Sequence, residues 1–527
     1  MSLSATEGTL VAYFLFVIVG LLLYLVMFKR FKWVVLLIVS YIVIFLLSSF
    51  WFIFLILATL IVYCCGIWIG SLNKTFDIKK EGLEKEDKKK LKNRIKNEQK
   101  AIMLFGVILS FTILALLKYF NLPIYKLNDF FYIHSFKNIK HYKILFPLLG
   151  ISYYTMTSTA YLIDVYRKKY DCEKNFFKLA LFIGFFPLQL EGPISRYDKL
   201  SKDLFKDTNP TYEDLSRGGT LILWGIFKKV VIADRLAIAV NEIFKNYNDY
   251  AGPIILVGAI FYAFQLYCDF SGLIDLCRGV SRLFGINLEE NFNRPFLSRS
   301  VSEFWRRWHM SLGSWLRDYV FYSVAFLKPV MKLNNKVHGK VKPVFEKFIQ
   351  SLIPMFFVWL VCGIWHGAGS KYIVYGMYYY VIMMLGILFE PINIKVCEKL
   401  HINREGLFSN IVAISRTFII IVFGLMMFRA DSLTQYFEML SRLFKSGRYD
   451  LVNFGYVNYK DLIIMVVCII FIASLEIIQE FVKLREVFDR SNIVIRYTLL
   501  LSLVAIIILF GAYGASYGAI DPLYAAF

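Results

Sequence analysis

Long apolar runs separated by short charged segments make up most of this sequence. No charged residue occurs between Lys32 and Lys74. Two runs in this interval, residues 33–50 and 51–69, each approach the ~20 residues with which a helix crosses ~30 Å of hydrocarbon. Further apolar runs lie at residues 10–28, 101–117, 144–163, 219–233, 253–276, 353–364, 372–388, 411–427, 462–478 and 495–512. The pattern predicts an all-α, polytopic integral membrane protein with roughly 11 transmembrane helices.

Several runs are shorter than a full crossing, and the run at 176–190 is interrupted by Gly184 and Pro187. Irregular backbone is not stable against lipid, so short or broken runs predict re-entrant and interfacial helices buried inside the protein. No long linker separates soluble domains, and we expect one membrane domain over the whole chain. Its parts would be N-terminal spans at 1–118, a core at 144–390 and C-terminal spans at 391–527.

The charge of the chain concerns its orientation in the membrane. The sequence is 58% hydrophobic and 19% charged, with a formal net charge of +21. Basic residues cluster beside apolar runs, at 29–32 and in the mixed, lysine-rich loop 74–100, which favours a cytosolic position for both loops. A docking surface for an acidic carrier protein or a nucleotide-bearing donor is the alternative use of these loops. This placement argues against a nucleic-acid partner.

A tryptophan-rich helix is predicted downstream of the run at 253–276. Ser300 and Glu303 have the spacing of a capping box, so the helix should begin at about Val301. On a helical wheel the apolar sector contains Trp305, Trp308, Leu312, Trp315, Leu316 and Tyr319, and the remainder contains Arg306, Arg307, Ser311, Ser314, Arg317 and Asp318. Such a helix suits either an anchor at the membrane interface or the wall of a polar cavity.

Two of the six histidines lie in matching tryptophan-rich settings: His309 in FWRRWHMSL and His366 in CGIWHGAG. A single histidine in an apolar segment is more often a satisfied core residue, but two in the same setting favour a functional pair. Gly367 and Gly369 leave a gap in side-chain bulk beside His366, through which a substrate or another backbone can approach.

Asp269 is a carboxylate inside the apolar run 253–276. Intramembrane charges are costly and are usually functional or paired. Two roles fit it equally well: orienting a histidine, or bonding the helix backbone and Ser271.

Other chemistries find little support. Eight cysteines occur without C-x-x-C spacing, so we expect neither a disulfide framework nor a metal site. The segment GASYG at 514–518 matches a hydrolase pattern, but no histidine follows His401, so a serine nucleophile is not expected.

Three segments carry a resemblance to a known family. YCDFSGLIDL (267–276), ENFNRPFLSRSVSEFWRRWHMSLGSWLRDYV (290–320) and GIWHGAGS (363–370) are similar to the membrane-bound O-acyltransferases. Within that family the chain resembles the bacterial branch of alginate and peptidoglycan O-acetyltransferases, and the likeness covers most of 147–376. It departs from many relatives after Tyr319, which leaves the donor and partner contacts of that loop open.

The resemblance implies a helical bundle around a central tunnel in the bacterial plasma membrane. It implies transfer of an acyl group, with acetyl favoured, from a cytosolic thioester to a hydroxyl for modification of a cell-surface polysaccharide. His366 would be the essential catalytic residue, and His309 would be the second residue of the catalytic pair. The donor would be acetyl-coenzyme A or an acyl-carrier-protein thioester, with no permanently bound cofactor. An extracytoplasmic esterase-like acyltransferase is the expected partner, and membrane lipid surrounds the chain.

Attack of a hydroxyl on a thioester requires a base, which contributes ~10²–10⁴ in rate. We assign this role to His366, with a transient acyl-histidine as the variant. His309 would hydrogen-bond a substrate, and Trp305, Trp308 and Trp365 would line the site with Asp269. Arg306 and Arg307 would meet a donor phosphate or anchor the interface. D-alanyl transfer to teichoic acids is the nearest alternative, and a transporter or flippase is a remote one.

Overall fold

The computed structural model describes residues 5–119, 150–189, 191–367, 369–452 and 457–513. The predicted run at 144–163 is therefore described only from residue 150, and the GASYG segment lies outside the described residues. Throughout the described ranges the chain is helical and forms no β-strand. The all-α prediction is confirmed.

One compact unit comprises Met1–Gly219 and Cys277–Glu289. Its α-helices are α1 (Ala5–Val26), α2 (Lys32–Ser48), α3 (Ile53–Lys79), α4 (Lys85–Tyr119), α5 (Ile151–Tyr166), α6 (Phe176–Gly184), α7 (Phe186–Gln189), α8 (Tyr197–Leu204) and the start of α9 (Tyr212–Ile226). The break predicted in the run at 176–190 is confirmed, since α6 ends at Gly184. Helices α3, α4 and α5 pack together, and a side chain at Gly106 of α4 would collide with Leu162 of α5.

The second unit comprises Thr220–Leu276 and Glu290–Phe527. After the end of α9 and a π-helical turn at Phe227–Ala233, its α-helices are α10 (Asp234–Lys245), α11 (Gly252–Leu283, as far as Leu276), α12 (Val301–Arg307), α13 (Met310–Trp315), α14 (Tyr322–Ala325), α15 (Lys328–Val337), α16 (Pro343–His366), α17 (Ser370–Lys399), α18 (Leu407–Arg429), α19 (Leu433–Arg442), α20 (Tyr459–Phe481), α21 (Leu484–Arg490) and α22 (Ile493–Phe510). All residues of the candidate site belong to this unit.

Nine helices of the described ranges are long and apolar enough to cross a membrane. They are Lys29–Ser48, Ile53–Lys79, Lys85–Lys118, Gly252–Leu283, Pro343–His366, Ser370–Lys399, Leu407–Arg429, Tyr459–Phe481 and Ile493–Phe510. A shorter apolar helix occupies Tyr13–Val26. The predicted span at 219–233 is absent from this set, because it divides into the end of α9 and the π-helical turn, where Lys228 and Lys229 lie.

Helices α16 and α17 form a close antiparallel pair that ends at His366. A Cβ atom added at Gly363 would lie 2.5 Å from the backbone oxygen of Tyr372, and one added at Gly376 would collide with the backbone oxygen of Trp359. The two glycines therefore bring the helix backbones into direct contact. This contact fixes the end of α16, and with it the position of His366.

The helix predicted to begin at Val301 does begin there. Its first turn is capped by Ser300, whose Oγ accepts a hydrogen bond from the Glu303 N–H at 3.1 Å. The expectation of one continuous helix as far as Tyr319 was wrong, because α12 ends at Arg307. His309 has φ 45° and ψ 53°, a left-handed conformation that interrupts the helical hydrogen-bond ladder before α13 begins.

Candidate active site

His309 lies in the left-handed turn between α12 and α13 and is only 3% exposed. The Phe270 ring packs edge-on against the imidazole at 4.8 Å between centroids. Nδ1 of His309 lies 3.3 Å from the Asn291 side-chain oxygen, whereas its buried Nε2 has no hydrogen-bond partner among the described residues. Burial lowers the pKa of His309 from 6.5 to about 3, so the ring is neutral at physiological pH.

His366 is the last residue of α16 and is also 3% exposed. Its neighbours are aromatic: Phe428 at 5.0 Å, Tyr375 at 5.8 Å and Tyr372 at 6.5 Å between ring centroids. Phe428 comes from the end of α18, and both tyrosines come from the start of α17. The ends of two helices thus surround this imidazole with aromatic rings, a setting suited to an uncharged group.

Trp365 connects the two histidines. The ring centroid of its indole is 4.8 Å from that of His366 and 5.9 Å from that of His309. The side chain is 7% exposed. The structure therefore brings the two predicted catalytic residues to the same indole, although one lies in a turn and the other at the end of a helix.

Trp305 and Trp308, predicted together as substrate-binding residues, lie in different surroundings. Trp305 contacts Trp359 at 5.0 Å and Tyr379 at 4.9 Å, on the side of the α16–α17 pair. The buried Nε1 of Trp305 has no hydrogen-bond partner among the described residues. Trp308 instead packs against Phe292 at 5.0 Å, within an aromatic cluster. The two tryptophans therefore face different neighbours, and Nε1 of Trp305 is a donor that a bound molecule can satisfy.

Arg306 and Arg307 also differ. Arg307 forms ion pairs with Glu303 at 2.7 Å and with Glu480 at 2.8 Å. Arg306 is exposed, and its recorded contact is a hydrogen bond to the Ser302 hydroxyl at 3.3 Å. Arg307 is thus a structural link between α12 and α20, and Arg306 is the exposed guanidinium of the two.

Asp269 has a partner that the sequence argument did not name. Its Oδ1 lies 2.7 Å from Nζ of Lys229, which also lies 2.6 Å from Oδ1 of Asp234. Ser271 accepts a hydrogen bond from Lys228 at 2.8 Å. Lys229 is therefore a partner of Asp269, and Lys228 is a partner of Ser271.

The space beside Gly367 is not open. A Cβ atom at this residue would collide with the ring of Tyr372, which lies against the backbone there. The φ of Gly367 is 171°, an extended conformation open to any residue. A glycine is therefore needed at this position because an aromatic ring packs on it.

The sequence argument missed Asn291, Lys229 and Asp234. Asn291 stands in the quoted segment ENFNRPF, where nothing local marks it as a partner of His309. Lys228 and Lys229 carried a usable signal, because two cations inside the apolar run 219–233 require carboxylates. The run 253–276 contains two, Asp269 and Asp275, which lie 2.7 Å from Lys229 and Lys228 respectively.

Comparison with known proteins identifies the family of the chain. The family model of the membrane-bound O-acyltransferases matches residues 173–429, a range that contains both histidines. A teichoic acid D-alanyltransferase of Bacillus subtilis is 34% identical over 292 residues, which cover 54% of this chain and 69% of that relative. The chain belongs to the membrane-bound O-acyltransferase family. The resemblance inferred from the motifs is thereby confirmed.

Other members of the family share similar segments. A probable alginate O-acetylase of Pseudomonas aeruginosa is 32% identical over 68% of this chain and 63% of its own length. A peptidoglycan O-acetyltransferase of Helicobacter pylori is 30% identical over 52% of this chain and 53% of its own length. The chain thus spans less than two thirds of these two relatives. With its apolar helices, this acyltransferase-family member is a multi-pass membrane protein.

Proposed function

We propose that this protein is an O-acyltransferase that moves an acyl group, acetyl in preference to D-alanyl, from a cytosolic thioester to a hydroxyl on the other side of the membrane. The observation that carries the proposal is the placement of two buried imidazoles on one shared indole. A buried neutral imidazole retains the lone pair that a general base requires.

The helix ends support a direction for the transfer. Consecutive spans alternate in direction, so the start of α16, the end of α17, the end of α20 and the start of α22 lie on one side. The segments there, 328–347, 395–404 and 483–496, are rich in lysine and arginine, which favours the cytosol. His366 lies at the opposite end of α16, whose 24 residues extend ~36 Å.

His309 lies closer to the basic side. Arg307, two residues earlier, is bonded to Glu480 at the cytosolic end of α20. The neighbour of His309, Phe270, belongs to the interior of α11. A thioester entering beside Arg306 would therefore meet His309 first, while an acceptor hydroxyl from the far side would meet His366.

The reaction then needs a group that accepts the proton of the attacking hydroxyl and donates it to the leaving thiolate. His366 takes the proton from the attacking hydroxyl as the oxygen–acyl bond forms. The carbon–sulfur bond breaks, and the departing thiolate receives the proton from the imidazolium. His309 offers Nε2 to a hydrogen-bond donor of the substrates, and the phosphate of a coenzyme A donor has Arg306 as its partner.

The names of the relatives support acetyl over D-alanyl, since the alginate and peptidoglycan enzymes are O-acetylating. D-alanyl transfer from a carrier-protein thioester is the second candidate, because the D-alanyltransferase match has the higher identity. We propose an extracytoplasmic esterase-like acyltransferase as the next component, with this protein in the bacterial plasma membrane.

The test is replacement of His366 by alanine in membranes supplied with labelled acetyl-coenzyme A or D-alanyl carrier protein. Label transfer to surface polymer should be lost, while protein level and elution in detergent remain unchanged. His338→Ala is the matched control, since that side chain is 78% exposed and pairs with Glu346. Transfer by the His366→Ala protein equal to that of the control would refute the assignment, and the preferred donor separates the two candidates.

A further inference from the structure

Asn291 joins three groups of the turn that carries His309. Its side-chain oxygen accepts a hydrogen bond from the Ser311 N–H at 2.9 Å and lies 3.3 Å from His309 Nδ1. Its backbone oxygen accepts from the Met310 N–H at 3.0 Å. Asn291 is 1% exposed. One buried side chain and its backbone thus hold the left-handed turn between α12 and α13.

The Ser311 contact fixes which way the Asn291 amide faces. A backbone N–H can only donate, so the atom opposite it must be the amide oxygen and not the NH₂ group. That oxygen can only accept. The remaining atom in contact with it, Nδ1 of His309, must therefore carry the hydrogen.

We infer that Asn291 is a positioning residue that holds His309 in the Nδ1–H tautomer, which makes Nε2 a hydrogen-bond acceptor for an N–H or O–H group of the substrates. In a neutral imidazole one nitrogen donates and the other accepts. The inference deepens the proposed function and rests on it for the identity of the substrates. The tautomer itself can be observed without any acyl transfer.

The surroundings of the ring support a neutral, fixed tautomer. The side chains recorded against His309 are Phe270, Trp365 and Asn291, and none of them is ionisable. A carboxylate at position 291 would change this, because it would stabilise the imidazolium and place a proton on Nε2.

The first experiment is ¹⁵N spectroscopy of the histidine-labelled full chain in lipid, with the His309 signals assigned by their loss in His309→Gln. We expect a protonated Nδ1 and an unprotonated Nε2 at neutral pH. In Asn291→Ala a mixture of tautomers should appear. A protonated Nε2 in the wild-type protein would overturn the inference.

The second experiment compares Asn291→Asp with Asn293→Asp. Aspartate keeps both acceptor contacts of residue 291, so the turn should persist. Asn293 lies in the same segment, but its side chain is exposed and bonds Arg294 at 3.0 Å. Asn291→Asp should lower transfer at neutral pH by ~10-fold for each unit by which the raised pKa of His309 exceeds the pH, with recovery as the pH rises. A profile matching that of Asn293→Asp would contradict the assignment.

The two proposals fail separately. Loss of transfer in His366→Ala together with the wrong tautomer at His309 would remove only the role of Asn291. The expected tautomer together with an active His366→Ala protein would remove the proposed function and leave the Asn291 contact standing.

Discussion

Removal of Lys229 should destabilise the protein far more than removal of its partner Asp269. Nζ of Lys229 lies 2.7 Å from Oδ1 of Asp269 and 2.6 Å from Oδ1 of Asp234. The Asp269 side chain is 2% exposed, whereas those of Asp234 and Lys229 are 15% and 16% exposed. Lys229→Met therefore takes away the cation that these two enclosed carboxylates share.

The expected magnitudes follow from which charges remain. Breaking a buried ion pair by removing one partner costs ~3–5 kcal/mol, and Lys229→Met does this to two pairs. Asp269→Asn removes one charged hydrogen bond, ~1.5–3 kcal/mol, but leaves Lys229 paired with Asp234. In the double variant, Lys229→Met with Asp269→Asn, the neutral amide at 269 no longer needs a cation. The double variant should therefore lose less stability than the sum of the two single losses.

The assay is the free energy of unfolding in mixed detergent micelles, with Lys245→Met as the control for loss of an exposed lysine at the end of α10. Transfer per folded molecule is measured in parallel. If Asp269 is a structural partner, folded Asp269→Asn should retain most of its transfer. The reasoning fails if Asp269→Asn is the less stable variant, or if it is well folded but inactive.

Two further predictions concern the arginines and His309. Arg307→Met should destabilise the protein by ~1 kcal/mol, since Glu303 and Glu480 lose a partly exposed partner. Arg306→Met should leave the free energy of unfolding unchanged and raise the KM for a phosphate-bearing donor. Equal effects of the two variants on unfolding and on KM would contradict this distinction. The pKa of His309 is lowered by burial from 6.5 to about 3. Between pH 6.5 and pH 3 this imidazole is therefore protonated in the unfolded chain but not in the folded one. The free energy of unfolding should fall as the pH drops through this range, by up to ~1.4 kcal/mol per pH unit. His309→Gln should flatten this dependence in acid-unfolding curves, and parallel curves for both proteins would refute the burial argument.

The membrane helices and the two histidines could be predicted because their signals are local. A span is marked by an uninterrupted apolar stretch of sufficient length, and α2, α3, α18 and α20 follow such stretches closely. His309 and His366 stood out because each follows a tryptophan within an apolar setting. The cap at Ser300 was likewise encoded within four residues.

The remaining features depend on contacts that periodicity does not encode. The turn at His309 contains no glycine or proline, so no local residue type marks it. A helical wheel also assumes that the helix continues through this position. What interrupts the helix is Asn291, which lies 18 residues earlier. The pairing of Asp269 with Lys229 joins two elements. Residue type suggests that lysines and carboxylates pair, but the spacing along the chain does not say which lysine meets which carboxylate.

The contrast between the two histidine environments suggests how one site can handle a charged donor and a neutral acyl group. On the side of His309, Arg306 is exposed and Arg307 is held by carboxylates. On the side of His366 the recorded ring neighbours are aromatic, and Lys371 there donates to the backbone oxygens of Phe428 and Ala430. Under the proposed function, the arginine end would suit the phosphate of a donor, and the aromatic end would suit the uncharged acyl-bearing tip. Such an arrangement would retain the donor on the cytosolic side and allow the acyl group alone to reach the acceptor.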